Sequence, residues 1–276
     1  MLCTDPMKVK VNESKVCAAV SGMALVPCGV CLNCRINQAR IWTNRLILEA
    51  TQHDFVTFLT MTYDDDHLPN PAHVSVPTLQ KYIKRLRYYL EGRKIKYYGV
   101  GEYGDVSFRP HYHLVLYNVH AKDDWKNMAK AWSDGLGNLM CAPERFQAVE
   151  AEPALFRYVT GYITKKAKDL DNKWLNPHMK HIYKNKKKEF AIMTKGLGKE
   201  AIEIARKKTD PWDHEITCIR TGGRKYPIGR YLKEYGIEKP WLQKVLEFRA
   251  GQERAFCKLR KRSKKIGKAS TERRAL

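Results

Sequence analysis

The sequence predicts an α+β fold, a ferredoxin/RRM-like antiparallel sheet in βαββαβ order backed by helices, with an extension at each end. Three observations carry this expectation. Runs rich in β-branched and aromatic residues recur between residues 55 and 150. Between them lie runs whose apolar residues repeat at helical spacing. The elements follow one another in the order of a split βαβ unit.

Taken in order, residues 35–51 carry Ile36, Ile41, Leu46, Ile47 and Ala50 at helical spacing. FVTFLTMTY, Phe55 to Tyr63, reads as a strand, and the turn chemistry of DDDHLPNP ends it. VPTLQKYIKRLRYYLEG places Leu79, Tyr82, Ile83, Leu86 and Leu90 on one helical face, with Thr78 as cap and Gly92 as stop. Lys96 to Gly104 and His111 to Asn118 form two strands joined by a short loop ending in Arg109-Pro110. A helix is expected over 123–132, a strand over 146–150, and a last helix from Pro153 to Lys168 with proline in its first turn. Beyond Lys168 the chain is basic with short apolar runs, and its topology is not legible. The expected division is a cysteine-containing segment and helix over 1–54, a central domain over 55–168, and a basic, DNA-binding extension over 169–276.

Composition narrows the partners. The 276 residues are 43% hydrophobic, ordinary for a folded protein, but 51 Lys+Arg against 29 Asp+Glu leave a net charge of +22. That excess favours a polyanion. A membrane reading has little support: no run approaches the ~18 apolar residues of a spanning helix. The opening MLCTDPMKVKVNESKV lacks the apolar region of a secretory signal. The eight cysteines, three of them clustered, suit reduced thiols or a metal site better than a disulfide framework, so a cytosolic compartment is expected. No GxxxxGK[ST] loop occurs, and GLGKE lacks both its length and its hydroxyl, so no helicase motor is expected.

Two constellations carry chemistry. His111 and His113, two apart on a strand, point to one face while Tyr112 points away. Two imidazoles make half of a divalent-metal site. Glu102 on the preceding strand supplies an anionic ligand if it lies opposite either histidine, and a one-residue slip would turn it away. Tyr158 and Tyr162, four apart on a helix, share a face that Lys165 and Lys166 continue. A phenol titrates near pH 10 and needs an activated target to attack at neutral pH. A metal-bound phosphate is such a target. Taken singly, the plainer readings are polar residues on a sheet and a half-buried aromatic stripe.

Taken together, FLTMTY, GEYGDVSFRPHYHLVLYN and RYVTGYITKK resemble, in order and spacing, the three motifs of the HUH endonucleases, which initiate rolling-circle replication. HYH stands where that family has His-hydrophobic-His, and Glu102 stands where related initiators carry an acidic ligand. The Tyr-x3-Tyr spacing resembles the two-tyrosine class of small single-stranded DNA bacteriophages. CGVCLNCR, TYDDDHLP, FAIMTKGLGK and GRYLKEYG extend the likeness, from about Cys28 to about Tyr235, to microvirus initiators of the gokushovirus branch.

This resemblance implies metal binding by His111 and His113 with Glu102, nucleophilic attack by Tyr158 and Tyr162, and assistance from Lys165, with Lys166 the neighbouring alternative. The implied metal is magnesium or manganese. The implied activity is nicking and rejoining of the origin strand through a 5′-phosphotyrosine, in the cytoplasm of a bacterial host. The implied partners are single-stranded origin DNA and the host helicase and DNA polymerase. The alternative is a non-enzymatic single-stranded nucleic-acid-binding protein, which the charge supports but which leaves the histidines, glutamate and tyrosines without a joint purpose.

Three further features stand outside this core. Cys28, Cys31 and Cys34 form Cys-x2-Cys-x2-Cys, to which a structural zinc would add a fourth ligand, with Cys17 in the candidate set and Cys3 or a histidine as alternatives. Iron–sulfur ligation and free thiols remain open beside zinc. Asp64, Asp65, Asp66 and His67 read as a solvated turn rather than as ligands. Residues 258–274 carry nine basic residues and one acidic, so Lys258, Arg260, Lys261 and Arg262 join Arg109 and Lys166 as DNA-binding candidates. Tyr97, Tyr98, Tyr103 and Trp212 suit base stacking and core packing equally well.

Overall fold

A computed structural model describes residues 2–10, 23–104, 107–165, 186–202, 218–221, 224–227 and 229–236, with side chains left out at 23–24, 162–165, 218–221, 224–227 and 233–236. Its centre is a five-stranded antiparallel sheet in the order β6-β3-β5-β4-β7, formed by β3 (Val56–Met61), β4 (Lys96–Tyr103), β5 (Pro110–Tyr117), β6 (Gln147–Glu150) and β7 (Phe190–Met193). Helices α1 (Leu32–Ala50), α2 (Val76–Tyr89), α3 (Trp125–Ala131) and α4 (Pro153–Lys165) cover it. Two hairpins, β1 (Met7–Lys10) with β2 (Met23–Val26) and β8 (Cys218–Thr221) with β9 (Arg224–Pro227), and a last helix α5 (Gly229–Gly236) complete the described elements.

Strand alternation sorts the sheet into two apolar faces. On one, Leu59, Met61, Tyr112, Leu114 and Leu116 pack against Leu79, Tyr82, Ile83 and Leu86 of α2 and Met128 and Ala131 of α3, with Trp132. On the other, Phe58, Tyr98, Val100, Val115 and Tyr117 meet Leu46 and Ile47 of α1 and Phe156 and Val159 of α4. Helices therefore sandwich a sheet with two apolar faces. Tyr98 and Tyr103 are core residues, Tyr97 packs on the core edge, and Trp212 lies outside the described residues.

The expected elements appear with small shifts at their ends. Ser75 rather than Thr78 caps α2, its Oγ accepting the Thr78 N–H at 3.3 Å, because Pro77 occupies the first turn. The expected sheet gains β7, which pairs with β4 through Tyr98↔Met193 to Gly101↔Phe190. Gly101 permits this approach: a Cβ there would lie 2.7 Å from the Phe190 ring. Helix α1, from the 1–54 segment, and β7, from the 169–276 segment, thus share the core of the central sheet.

Candidate active site

The register of β4 and β5 decides where the candidate ligands fall. Glu102 lies opposite His111 and Val100 opposite His113, so Glu102 and both histidines emerge on the face that α1 and α4 cover. Glu102 and His113 are buried, and His113 Nε2 lies 3.0 Å from Glu102 Oε1.

Each ligand is oriented from behind. His113 Nδ1 lies 3.0 Å from Thr60 Oγ1, directly across the β3–β5 ladder. Its ring stacks on Phe58, with centroids 5.6 Å apart and planes at 18°. His111 Nδ1 lies 2.7 Å from the Arg109 carbonyl oxygen. A carbonyl only accepts, so Nδ1 carries the proton and Nε2 keeps its lone pair. Phe108 turns the chain with φ 52°, and the same Arg109 carbonyl accepts the Gly104 N–H at 3.0 Å. Left-handed backbone at a non-glycine costs of order 1 kcal/mol, and such residues cluster at functional sites.

These donors fit a hard divalent cation. Glu102 Oε2 is buried with no hydrogen-bond partner, an anionic oxygen that costs free energy unless a cation or donor meets it. The imidazoles add nitrogen ligands held by outer hydrogen bonds, as metal-ligating histidines are. Glu102 and His113 are in contact, but the three ligand atoms do not all draw within 4.8 Å; among the described residues only a set of cysteines does.

Helix α4 brings the tyrosines to this face. The Tyr158 ring stands edge-on to His113, with centroids 5.5 Å apart at 84°, and edge-on to Phe58 at 6.2 Å. Tyr158 is 42% exposed, so a nucleotide can reach its phenol. Packing against α1 sets the height of α4: Thr43 Oγ1 and Thr160 Oγ1 lie 2.7 Å apart in a buried hydrogen bond. Tyr162 continues α4 one turn on; its side chain and that of Lys165 lie outside the described residues, as do Lys166, Cys17, Lys258, Arg260, Lys261 and Arg262.

The loop after β3 forms its own network. Arg109 makes an ion pair with Asp65. Asp64 Oδ1 lies 2.7 Å from His67 Nδ1 and accepts the His67 N–H at 2.9 Å. Burial would raise the Asp64 pKa, but the His67 hydrogen bonds outweigh it and lower it; the same partner raises that of His67. A turn stabilised by its own side chains accounts for this acidic cluster. Sequence reading missed Thr60, Phe58 and the Thr43–Thr160 pair. Two-residue alternation along FLTMTY already put Phe58 and Thr60 on one face, but only the strand order sets that face beside His113.

The cysteine expectation needs one correction. Cys28, Cys31 and Cys34 gather with Cys3, their four sulfurs all within 4.8 Å of one another. The sequence set had named Cys17; the β1–β2 hairpin brings Cys3 into the fourth place instead.

Residues 56–167, from β3 to just past α4, match the family model of the replication-associated protein ORF2. That segment belongs to the ORF2 replication-associated family. Over longer stretches the chain is 27% identical to the replication-associated protein VP4 of Bdellovibrio phage phiMH2K, covering 91% of this chain and 81% of the relative. It is also 27% identical to the replication-associated protein ORF2 of Spiroplasma virus 4, covering 78% of this chain and 68% of that one. To the replication-associated protein ORF4 of Chlamydia phage 1 it is 32% identical over 36% of this chain and 25% of the relative. No solved structure matches the chain. The ORF2-family segment spans Glu102, His111, His113, Tyr158 and Tyr162. Among the described residues no helix is long and apolar enough to cross a membrane.

Proposed function

We propose that this chain initiates rolling-circle replication of a single-stranded DNA phage by nicking the origin strand and later rejoining it. The observation that carries the reading is the edge-on contact of Tyr158 with His113, on the sheet face that also bears Glu102 and His111. A ferredoxin-like split βαβ core under this site is supported by the strand order β6-β3-β5-β4 and by α2 and α3 packing on the same face.

Glu102 and the Nε2 atoms of His111 and His113 are the groups that would hold magnesium or manganese. A divalent ion bound there makes phosphorus more electrophilic by drawing charge from a non-bridging oxygen. Tyr158 Oη loses its proton and attacks phosphorus, and the P–O3′ bond breaks. The electron pair leaves on the 3′ oxygen, which takes up a proton to become a hydroxyl, while the phosphate stays linked to tyrosine at its 5′ side. One phosphodiester replaces another, so the 3′ hydroxyl can reverse the step without ATP. Tyr162, one turn on, gives a second nucleophile for the newly copied origin, with Lys165 or Lys166 to hold a phosphate. The +22 charge serves the DNA grip, and strand opening and synthesis fall to the host helicase and polymerase.

The test is incubation with origin-containing single-stranded DNA and magnesium or manganese, followed by a search for a denaturant-resistant protein–DNA adduct. The adduct should form with wild type and vanish in Tyr158→Phe/Tyr162→Phe, while DNA binding persists. An adduct in the double variant sinks the nucleophile assignment. Binding without any adduct in wild type favours a non-enzymatic binding protein.

A further inference from the structure

We propose that Cys3, Cys28, Cys31 and Cys34 bind one structural zinc ion that pins the β1–β2 hairpin to the N-terminus of α1. This inference is independent of the nicking reading.

The sulfurs are spaced for a single ion. Cys3 Sγ lies 3.5 Å from Cys28 Sγ and 3.8 Å from Cys31 Sγ, and all four sulfurs fall within 4.8 Å of one another. Four thiolates at the Zn–S distance of about 2.3 Å in a tetrahedron stand about 3.8 Å apart. A disulfide would need about 2.05 Å, and the described cysteines are free. A multi-iron cluster interposes inorganic sulfides and spreads its thiolates wider than one ion does, so the compact set favours a mononuclear site.

The backbone is arranged for thiolates. Cys28 N–H points at Cys3 Sγ at 3.3 Å, Cys31 N–H at Cys28 Sγ at 3.3 Å and Cys34 N–H at Cys31 Sγ at 3.5 Å. N–H groups aimed at sulfur stabilise its anionic, metal-binding form. Gly29, at φ 72°, provides the left-handed turn that lets the 28–31 segment fold back over a shared centre. Cys31 is also the N-cap of α1, so the anionic sulfurs gather at the positive end of that helix. Cys3 reaches the site by two ties: Asn33 Nδ2 donates to the Leu2 carbonyl at 2.8 Å, and Met7 pairs with Val26 two residues before Cys28. A hairpin of two four-residue strands is marginal alone, and a metal bond at its base supplies what it lacks. Further along α1, Thr43 meets Thr160 of α4, so the ion anchors the helix on which the tyrosine helix rests.

The experiment is native mass spectrometry and elemental analysis of the full chain purified without added metal, with cobalt(II) substitution. One zinc per chain is expected, and cobalt should give intense sulfur-to-metal charge-transfer bands with tetrahedral d–d absorption. Cys3→Ser should lose zinc retention at least tenfold, while Cys17→Ser keeps it. Zinc lost from Cys17→Ser but held by Cys3→Ser would overturn the ligand set. Iron in place of zinc, or no bound metal together with a cobalt spectrum lacking charge transfer, would overturn the site. The cobalt spectrum of wild type keeps the proposal falsifiable should Cys3→Ser fail to fold.

Discussion

His113 and Tyr158 touch edge to face, their ring centroids 5.5 Å apart, although 45 positions separate them along the chain. The contact needs β5 and α4 on the same side of the sheet. It also needs α4 held at its height by the Thr43–Thr160 hydrogen bond. A ring in contact with both a buried carboxylate and a half-exposed phenol is poorly placed for a purely structural role.

Thr60→Val should impair the site without disturbing the fold. Valine matches threonine in shape and suits a half-buried strand position, but it removes the hydroxyl 3.0 Å from His113 Nδ1. Loss of an orienting hydrogen bond behind a metal-ligating histidine typically costs about 10–100-fold in affinity or activity. Adduct formation measured against manganese concentration should show a raised half-saturation point with unchanged thermal stability. An unchanged curve would mean that His113 is oriented by Phe58 alone.

Gly104→Ala tests the other histidine. A Cβ at this position would sit 3.0 Å from His111 Cε1, tighter than ordinary contact, so the ring must swing away. The backbone there is otherwise able to carry alanine, since no left-handed φ is required. We expect about a tenfold or larger fall in the adduct rate. DNA binding in the absence of metal should not change. A parallel fall in metal-free binding would show that the loop, not the ligand, had been disturbed.

The sheet was legible in the sequence wherever alternation was long. FVTFLTMTY and HYHLVLYN declare strands, and period 2 alone put His111 and His113 on one face. Glu102 joined them once the register placed it opposite His111. The strand β7 was not legible, because FAIM is only four residues long and acquires its meaning by pairing with β4. Helix α1 was legible as a helix, yet its role as the cover of the active face depends on long-range packing that periodicity cannot report. Cys3 was ambiguous for the same reason: it stands 25 positions from Cys28, and only the short β1–β2 hairpin closes that distance. The full burial of Glu49 likewise depends on distant partners rather than on its spacing along α1.

Gly161→Ala should stabilise α4. Gly161 lies within the helix between the two tyrosines, and a Cβ there meets no described atom within 4 Å. Replacing a helical glycine by alanine gains about 0.5–1 kcal/mol. That should raise the melting temperature by roughly 1–4 °C in a chain of this size. Adduct formation through Tyr158 should be unaffected, as measured in a Tyr162→Phe background. A melting point that falls instead would show that the outer face of α4 is packed.

Glu49 should govern acid stability. Its Oε1 lies 2.8 Å from His53 Nε2 and 2.7 Å from Lys96 Nζ, while Oε2 accepts the Gly198 N–H at 2.7 Å, joining α1, β4 and the turn after β7. Burial alone would raise its pKa; the hydrogen bonds from His53, Lys96 and Gly198 reverse that and hold it at about 2. A pKa lowered from an ordinary glutamate value near 4.3 favours the folded, ionised form by about 3 kcal/mol. That stability is fully present above the unfolded value and is lost as the pH falls towards 2. Glu49→Gln cannot accept on both oxygens and removes the charge facing Lys96, and breaking a buried pair costs about 3–5 kcal/mol. Urea unfolding of wild type should therefore weaken steeply between about pH 5 and pH 2, while Glu49→Gln starts lower and shows a shallower dependence over that window. Parallel curves for the two proteins would assign the acid sensitivity to other carboxylates.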